Sequence, residues 1–238
     1  MSAEASDPEP SSLPRFTARG VWRGCVEIAP LSAFSVPFGI AFGVAATAKG
    51  VSADIGVLMS LMICAGASQF AALELWYAPL PLTMLALTAL AVNGRYILAG
   101  AVLAPWLLKL PLLRRTASLV FLSDANFAQA VAARERGELD AGTLLGSGLM
   151  LWATWVAGTA IGVLGGSLLG DLSRFGFDAV MAVYFAAVVT GQWKGPRDLY
   201  PWLAAATVAL LGAHVLPTGW HIIAGGLAGG VVGAWRHG

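Results

Sequence analysis

The stretch from Leu75 to Leu108 carries a single formal charge, Arg95, inside an otherwise uncharged and strongly apolar run. A run of this length and composition is typical of a membrane-embedded segment. A guanidinium near the centre of such a run costs about 2.5–3.5 kcal/mol on insertion scales, so Arg95 must face protein, water or a ligand rather than lipid. Two interpretations remain open: a structural arginine paired inside a helix bundle, and a residue of a transport path.

Asn93 and Gly94 directly precede this arginine. A polar residue followed by glycine in the middle of a membrane helix is a place where the helix can open and expose backbone groups. The stretch is long enough for one tilted span or for two half-length helices. We predict an interruption of the helix at Gly94, with Gln69 and Asp124 near the break. The alternative is a continuous helix in which Asn93 bonds to a neighbour.

The composition places the whole chain in a membrane. Of its 238 residues, 58% are hydrophobic and 11% are charged, whereas soluble domains carry about 25% charged residues. We predict an all-α polytopic membrane protein with about seven or eight hydrophobic segments, some of them broken or re-entrant.

The same residues argue against several classes of function. A net charge of +1 gives no indication of nucleic-acid binding. Cys25 and Cys64 lie in apolar surroundings and are interpreted as small core residues, and the three histidines form no cluster with them. No metal site and no cofactor are therefore predicted. Because there is no Walker motif and no convincing catalytic set, the chain is not predicted to be an enzyme.

The N-terminal residues are rich in Ser, Pro and acids and lack the apolar core of a signal peptide. We expect residues 1–20 to form a disordered cytoplasmic tail and residues 21–238 to form the transmembrane domain. The Lys and Arg content of the loops favours a cytoplasmic N-terminus. If every segment spans, however, Lys109, Arg114 and Arg115 fall on the outer side. This conflict eases if the Arg95 segment re-enters and residues 116–134 lie on the membrane surface.

The first span, about Val26 to Ala48, and the uncharged run from Ala141 to Gly170 are both rich in glycine. Glycines four residues apart let another helix approach closely. The predicted helix-packing positions are Gly39, Gly43, Gly158, Gly162 and Gly166. Pro30 and Pro37 each remove a backbone donor and are predicted, with Gly94, to kink or open their helices.

Polar residues occur inside two further apolar segments. The second span, about Ile55 to Tyr77, begins after the N-cap residue Ser52 and contains Ser68 and Gln69 near its end. Gln69 is either interhelical glue or a ligand contact. Residues 116–134 predict an amphipathic helix around Asp124 that either spans with this charge inward or lies on the membrane surface.

The C-terminal third contains three further predicted passes. These are a span from Ala179 to Trp193 and two passes from Leu199 to Trp235, divided at Pro217-Thr218-Gly219. A weak internal repeat relates Asp54 and Gln69 to Asp178 and Gln192.

Several blocks of the chain resemble the AzlC family, the large permease subunits of bacterial branched-chain amino acid exporters. The blocks are P-F-G-I-A-F-G (37–43), M-S…A-G-A-S-Q-F-A-A (59–72), V-N-G-R-Y (92–96), L-A-P (103–105) and S-D-x-x-F-A (123–128). The second and third blocks, in this order, carry most of the specificity. The family usually has Asp-Glu where this chain has Asp124-Ala125.

This resemblance implies a bacterial cytoplasmic-membrane protein that exports valine, leucine, isoleucine or analogues together with a small hydrophobic subunit of the AzlD type. We expect secondary transport, with the substrate side chain among apolar residues and its two charges held by polar groups. The expected substrate-binding residues are Ser68, Gln69, Asn93, Arg95, Asp124 and Asn126. A non-transporting membrane scaffold and a pore for small neutral solutes are the alternatives.

Overall fold

A computed structural model describes residues 14–138, 140–169, 186, 190, 193, 195–216 and 220–237. Within these residues nearly all regular structure is helical, and β-type pairing is limited to one bridge between Arg15 and Asp140. The prediction of an all-α membrane protein is confirmed. Part of the sequence prediction lies outside the described residues: residues 1–13, Asp178, Gln192 and most of the span at 179–193.

The helices, in chain order, are α1 (Ala18–Ala48), α2 (Ala53–Met62), α3 (Gly66–Glu74), α4 (Leu82–Asn93), α5 (Arg95–Leu107), α6 (Leu112–Val120), α7 (Asp124–Glu135), α8 (Gly142–Leu169), α9 (Leu199–Val215) and α10 (Trp220–His237). A short 3₁₀ turn, Pro196–Asp198, precedes α9. Among the described helices, three segments are long and apolar enough to cross a membrane: Ala18–Ala48, Leu82–Leu107 and Gly142–Gly166.

Helix α1 corrects two expectations. It runs without interruption through Pro30 and Pro37, so neither proline opens the helix, while a kink at either proline stays a prediction. Membrane helices tolerate proline because neighbouring helices and Ser or Thr side chains satisfy the carbonyl groups that proline leaves without a donor. The helix also begins at Ala18, inside the range assigned to the disordered tail. Contacts of Arg15 and Thr17 with the segment before α8 explain this earlier start.

The predicted break at Gly94 is one residue long. Helix α4 ends at Asn93 and α5 begins at Arg95, but Gly94 between them has φ −52° and ψ −28°, which are right-handed helical angles. A glycine can adopt any backbone conformation, and here it keeps the helical one. Gly94 therefore interrupts the regular pattern without unwinding the span Leu82–Leu107.

A larger break lies in the predicted second span. Instead of one helix over 55–77, the chain forms α2 and α3 with residues 63–65 non-helical between them. These two helices measure about 15 Å and 13 Å, roughly half the ~30 Å hydrocarbon thickness of a bilayer. Neither of them can span a membrane alone.

The chain divides into two compact units. Unit 1 comprises Met1–Leu31 and Tyr96–Leu151, and unit 2 comprises Ser32–Arg95 and Trp152–Gly238. Each unit contains a hairpin of two short helices that packs against segments of α1 and α8. These are the α6–α7 hairpin in unit 1 and the α2–α3 hairpin in unit 2.

In unit 2, α1 and α8 run in parallel with their backbones in contact. A Cβ atom added at Gly39 would lie 2.6 Å from the Trp155 carbonyl oxygen, and one added at Gly158 would lie 2.5 Å from the Val36 carbonyl oxygen. The other predicted packing glycines, Gly43, Gly162 and Gly166, also face the opposite helix. Such contacts have no room for a side chain, and close backbone packing is a main source of helix association in lipid.

In unit 1 the same two helices are joined at their first turns. The Asp140 carboxylate accepts hydrogen bonds from the Thr17 N–H (3.1 Å), the Thr17 hydroxyl and the Gly142 N–H (2.9 Å). One turn further on, Gly146 lies against the backbone of Val21. The carboxylate thereby caps the α8 N-terminus and fixes the N-terminal end of α1 beside it.

The basic residues of unit 1 collect at this end. The Arg114 guanidinium lies 5.3 Å from the centre of the Phe16 ring, and Phe16 packs in the same apolar cluster as Leu107 and Ala141. Lys109, Arg114 and Arg115 therefore lie at the same end of unit 1 as the start of α1. The charge conflict in the sequence disappears, because within unit 1 these residues no longer fall opposite the N-terminus.

Helix α6 has leucine side chains facing outward. Leu113 is 82% exposed and Leu112 is 67% exposed, while Ser118 is fully buried and donates to the Arg114 carbonyl oxygen. Arg114 and Thr116 of the same helix are exposed as well, so α6 presents both leucines and polar residues outward, as a helix at a membrane interface does.

Helices α9 and α10 follow the predicted division of the C-terminal apolar stretch, whose residues 217–219 lie outside the described ranges. Gly225 and Gly229 of α10 face α9, where added Cβ atoms would lie 2.8 Å and 2.9 Å from Ala205 atoms. Gly226 and Gly230 face open space.

Candidate functional site

The α2–α3 hairpin enters and leaves unit 2 on one side. Gly56, in the first turns of α2, packs against Ala46 near the end of α1. At the end of α3, the Glu74 carboxylate lies 3.5 Å from the Lys49 ammonium, which also follows α1. Both open ends of the hairpin thus lie beside the C-terminal end of α1. The non-helical residues 63–65 form the tip, as in a re-entrant membrane hairpin.

A buried polar network lies behind this tip. The Gln69 side chain is completely buried; its Nε2 donates to Ser60 Oγ at 3.1 Å, and its Oε1 accepts from the Trp155 indole N–H at 2.8 Å. Ser60 Oγ in turn lies 2.8 Å from Thr159 Oγ1. The network links α2, α3 and α8, so the hydrogen bonds of Gln69 hold these three helices together.

Aromatic rings surround the network. Phe42 of α1 and Phe70 of α3 are fully buried, and their ring centres lie 5.5 Å apart in an edge-to-face arrangement. The Trp155 ring packs on both, with centre separations of 6.2 Å and 6.4 Å. Trp155 also covers the first residue of α3, since a Cβ atom added at Gly66 would lie 2.6 Å from its Cη2 atom. This wall suits an apolar side chain.

The Ala65 carbonyl oxygen organises the backbone at the tip. It accepts from the Ser68 hydroxyl (2.8 Å) and from the Ser68 and Gln69 N–H groups (3.1 Å and 3.2 Å). The N–H groups of Gly66 and Ala67 belong to the first turn of α3, where helix geometry provides no acceptor within the helix. Such a terminus carries a partial positive charge that favours anionic groups.

Helix α4 contributes two buried oxygen atoms to unit 2. Thr88, 1% exposed, and Asn93, the last residue of α4, have side-chain oxygens that are buried and accept no hydrogen bond from the described residues. Buried acceptors in proteins are nearly always paired, so these two oxygens mark places where a further donor is expected. Arg95, one residue beyond Gly94, is half-buried.

The two remaining predicted site residues, Asp124 and Asn126, lie in the α6–α7 hairpin of unit 1. Asp124 begins α7 and is exposed. Asn126 is fully buried: its Oδ1 accepts from the Ser123 N–H at 2.6 Å, and its Nδ2 donates to the Phe121 carbonyl at 2.9 Å and the Leu144 carbonyl at 3.3 Å. The Asn126 amide is therefore engaged in building the turn between α6 and α7.

Sequence reasoning missed the partners of Gln69. Ser60, Thr159 and Trp155 are single polar or aromatic residues in apolar runs, and only their burial in one network distinguishes them. It also missed Glu27, whose carboxylate pairs with Arg23 at 3.1 Å and accepts from Gln129 at 3.4 Å within α1 and α7. An acidic residue inside the first apolar helix was the available signal.

Long apolar helices, a broken helix hairpin and polar groups buried behind its tip define a polytopic membrane protein, and broken helices of this kind are typical of transporters. The chain belongs to the AzlC family: it matches the family described as "AzlC protein" over residues 30–169.

Three relatives extend the similarity over most of the chain. An uncharacterized membrane protein of Archaeoglobus fulgidus is 33% identical over 216 residues, covering 90% of this chain and 94% of the relative. The inner membrane protein YgaZ of Escherichia coli is 31% identical over 88% of this chain and 86% of its own. The branched-chain amino acid transport protein AzlC of Bacillus subtilis is 29% identical over 78% and 74%. No solved structure matches the chain.

Proposed function

We propose that this protein is the large subunit of a secondary transporter that exports branched-chain amino acids across the bacterial cytoplasmic membrane. Membership of the AzlC family and the similarity to the branched-chain amino acid transport protein of B. subtilis support the substrate class. The α2–α3 hairpin is the observation that carries the proposal, because broken half-helices bring backbone charge and polar side chains to the middle of a membrane.

In this proposal the substrate carboxylate binds at the N-terminal end of α3 or to Arg95. The helix terminus offers N–H groups and a partial positive charge, and a guanidinium binds a carboxylate in a bidentate manner. The ammonium group binds carbonyl and side-chain oxygens, for which Asn93 Oδ1 and Thr88 Oγ1 are candidates because they are buried and accept no hydrogen bond within the described residues. Asp124 of unit 1 stays a predicted substrate-binding residue.

The apolar part of the substrate is proposed to contact the buried rings of Phe42 and Phe70. Valine, leucine and isoleucine differ by one methylene or by branching, and a hydrophobic wall distinguishes such differences by only about 1–3 kcal/mol. The exporter is thus expected to accept all three amino acids and close analogues.

A small hydrophobic subunit of the AzlD type is proposed to complete the transporter. The apolar outer surface of α4 and α5 supports a membrane partner: Leu82, Ile97 and Leu98 are each 71% exposed. The N-terminus is proposed to lie in the cytoplasm, because the basic end of unit 1 contains the start of α1.

An efflux assay tests the proposal. Cells that express the chain with and without the partner are loaded with labelled valine or leucine, and release is followed with time. Saturable release that requires the chain supports it; release that does not saturate indicates a pore, and absence of release with the partner present indicates a scaffold.

Arg95→Ala provides the site test in the same cells. Export is expected to fall about tenfold or more, since a charge-assisted hydrogen bond is worth about 1.5–3 kcal/mol. Arg136→Ala, at an exposed position outside the spans, is the matched control. Normal export by Arg95→Ala protein at normal membrane levels would remove Arg95 from the site.

A further inference from the structure

Trp155 of α8 packs against the tip of the α2–α3 hairpin. Its indole N–H donates to Gln69 Oε1 at 2.8 Å, and the six-membered part of its ring lies against Gly66, the first residue of α3. One side chain from α8 thus engages the buried amide and covers the beginning of the second half-helix. Both features belong to the site proposed for substrate, so the side chain and the substrate compete for the same positions.

The polar groups behind the tip are satisfied within the protein. Gln69 uses its carbonyl oxygen for Trp155 and its amide nitrogen for Ser60, and Ser60 also contacts Thr159. This arrangement is stable without a ligand, because no buried side-chain polar atom of the network lacks a hydrogen bond. A ligand that reaches Gln69 Oε1 or the α3 N-terminus has to displace the indole first.

We infer that Trp155 is the gating residue of this site: its ring closes the N-terminal end of α3, and its hydrogen bond to Gln69 holds the closed position. The inference rests on the proposed transport function. It predicts a population of open protein that is small in the wild type and is increased when either contact is weakened. The observed affinity for substrate is reduced by the open fraction, so weakening the gate tightens apparent binding.

Two substitutions weaken the gate by different means. Trp155→Phe keeps an aromatic ring and removes the N–H that bonds to Gln69. Gly66→Ala leaves Trp155 intact but places a methyl group 2.6 Å from Cη2, which forces the ring away from α3. The contact is with the far end of a side chain and not with backbone, so the strain falls first on the ring and on its packing against Phe42 and Phe70.

Matched controls exist for both substitutions. Trp106→Phe removes an indole N–H that has no hydrogen-bond partner in the described part of the chain. Gly165→Ala adds a methyl group on α8 where no atom lies within 4 Å. Folding of all four variants is checked by size-exclusion chromatography of the purified protein.

Cys64, at the tip of the hairpin, reports the open state independently of transport. In a Cys25→Ser background it is the single thiol of the chain. A water-soluble maleimide is expected to modify Cys64 about fivefold faster in Trp155→Phe and Gly66→Ala protein, because loss of one hydrogen bond is worth about 1 kcal/mol. Trp106→Phe and Gly165→Ala are expected to react at the wild-type rate.

Leucine export in cells provides the second measurement. The concentration of leucine that gives half-maximal export is expected to fall about fivefold in the two gate variants and to stay unchanged in the two controls. A purely structural Trp155 would lower the amount of folded protein or the maximal rate while leaving this concentration unchanged.

The two measurements separate the gate from the transport function. If Cys64 is modified at the wild-type rate in both gate variants and export is intact, Trp155 is not a gate, and the proposed transport function is unaffected. Faster Cys64 modification in a protein that exports no branched-chain amino acid keeps the gate and refutes the proposed function. Faster modification together with a lower half-maximal leucine concentration supports both.

Discussion

In the α6–α7 hairpin of unit 1 the buried amide side chain bonds to backbone groups, whereas in the α2–α3 hairpin of unit 2 it bonds to other side chains. Asn126 bonds to the Ser123 N–H and to the Phe121 and Leu144 carbonyls. Gln69 occupies a similar position early in α3 but bonds to the Ser60 hydroxyl and the Trp155 indole. A side chain changes partners by rotating, while a backbone group does so only by local unfolding. We therefore expect the first hairpin to be the more rigid of the two.

Asn126→Ala is expected to have the largest effect on stability. The substitution leaves one buried backbone N–H and two carbonyl groups without their partner, at a cost of about 2–4 kcal/mol. Thermal unfolding of the purified protein, followed by tryptophan fluorescence, measures the loss. Stability equal to that of the wild type would show that the turn does not depend on Asn126.

Gly148→Ala is expected to destabilise unit 1 by about 1–3 kcal/mol through overpacking. The added methyl group would meet the Phe121 carbonyl oxygen and lie 2.8 Å from Asn126 Nδ2, and both atoms are fixed in the turn. Gly165→Ala, in open space on the same helix, is the control for helix propensity. Equal unfolding temperatures for the two variants would contradict a rigid α6–α7 turn.

Ser123→Ala is expected to cost about 1 kcal/mol, the usual value for an N-cap serine. The hydroxyl lies 3.1 Å from Asn126 Oδ1, while the Ser123 N–H, which the substitution retains, provides the shorter bond of 2.6 Å. The unfolding temperature should therefore fall between those of the wild type and Asn126→Ala. An effect as large as that of Asn126→Ala would show that the Ser123 hydroxyl, and not the Ser123 N–H, is the main partner of Asn126 in the turn.

Gln69→Ala is expected to show the smallest effect on stability, about 1 kcal/mol or less, since side-chain hydrogen bonds in membrane proteins average about 0.6 kcal/mol. Export of valine or leucine should nevertheless be lost at normal membrane levels. Efflux and unfolding are measured on the same preparations. Normal export, or a stability loss as large as that of Asn126→Ala, would place Gln69 in the same structural class as Asn126.

The sequence predicted the helices better than their interruptions. The C-terminal limit of α1, both limits of α8 and the division before α10 follow from runs of apolar residues and from proline and glycine signals, whereas the N-terminal limit of α1 does not. The break at residues 63–65 could not be predicted, because Ile63, Cys64 and Ala65 include neither proline nor glycine nor a strongly polar residue. Contacts of Ser60 and Gln69 with α8 stabilise this break, whereas Gly94 has no comparable requirement and keeps helical angles.

Only the most polar of the candidate residues could be selected from the sequence. Gln69, Arg95 and Asp124 are conspicuous because polar side chains are costly in an apolar run. Trp155 and Thr159 are not, since tryptophan and threonine are ordinary in membrane helices. Their role depends on which face of α8 meets α2 and α3, and that is decided by glycine contacts more than 100 positions apart in the chain, such as those of Gly39 with Gly158.

The parallel contact of α1 with α8 has a consequence for biosynthesis. Ser35 and Thr154, which share a hydrogen bond between these helices, are separated by 119 positions. At about 5–20 residues per second, on the order of ten seconds pass between the synthesis of the two positions. During that time the glycine face of α1 is in the membrane without its neighbour. A nascent chain that stops before Gly142 therefore leaves the glycine face of α1 without the helix that covers it in the folded protein.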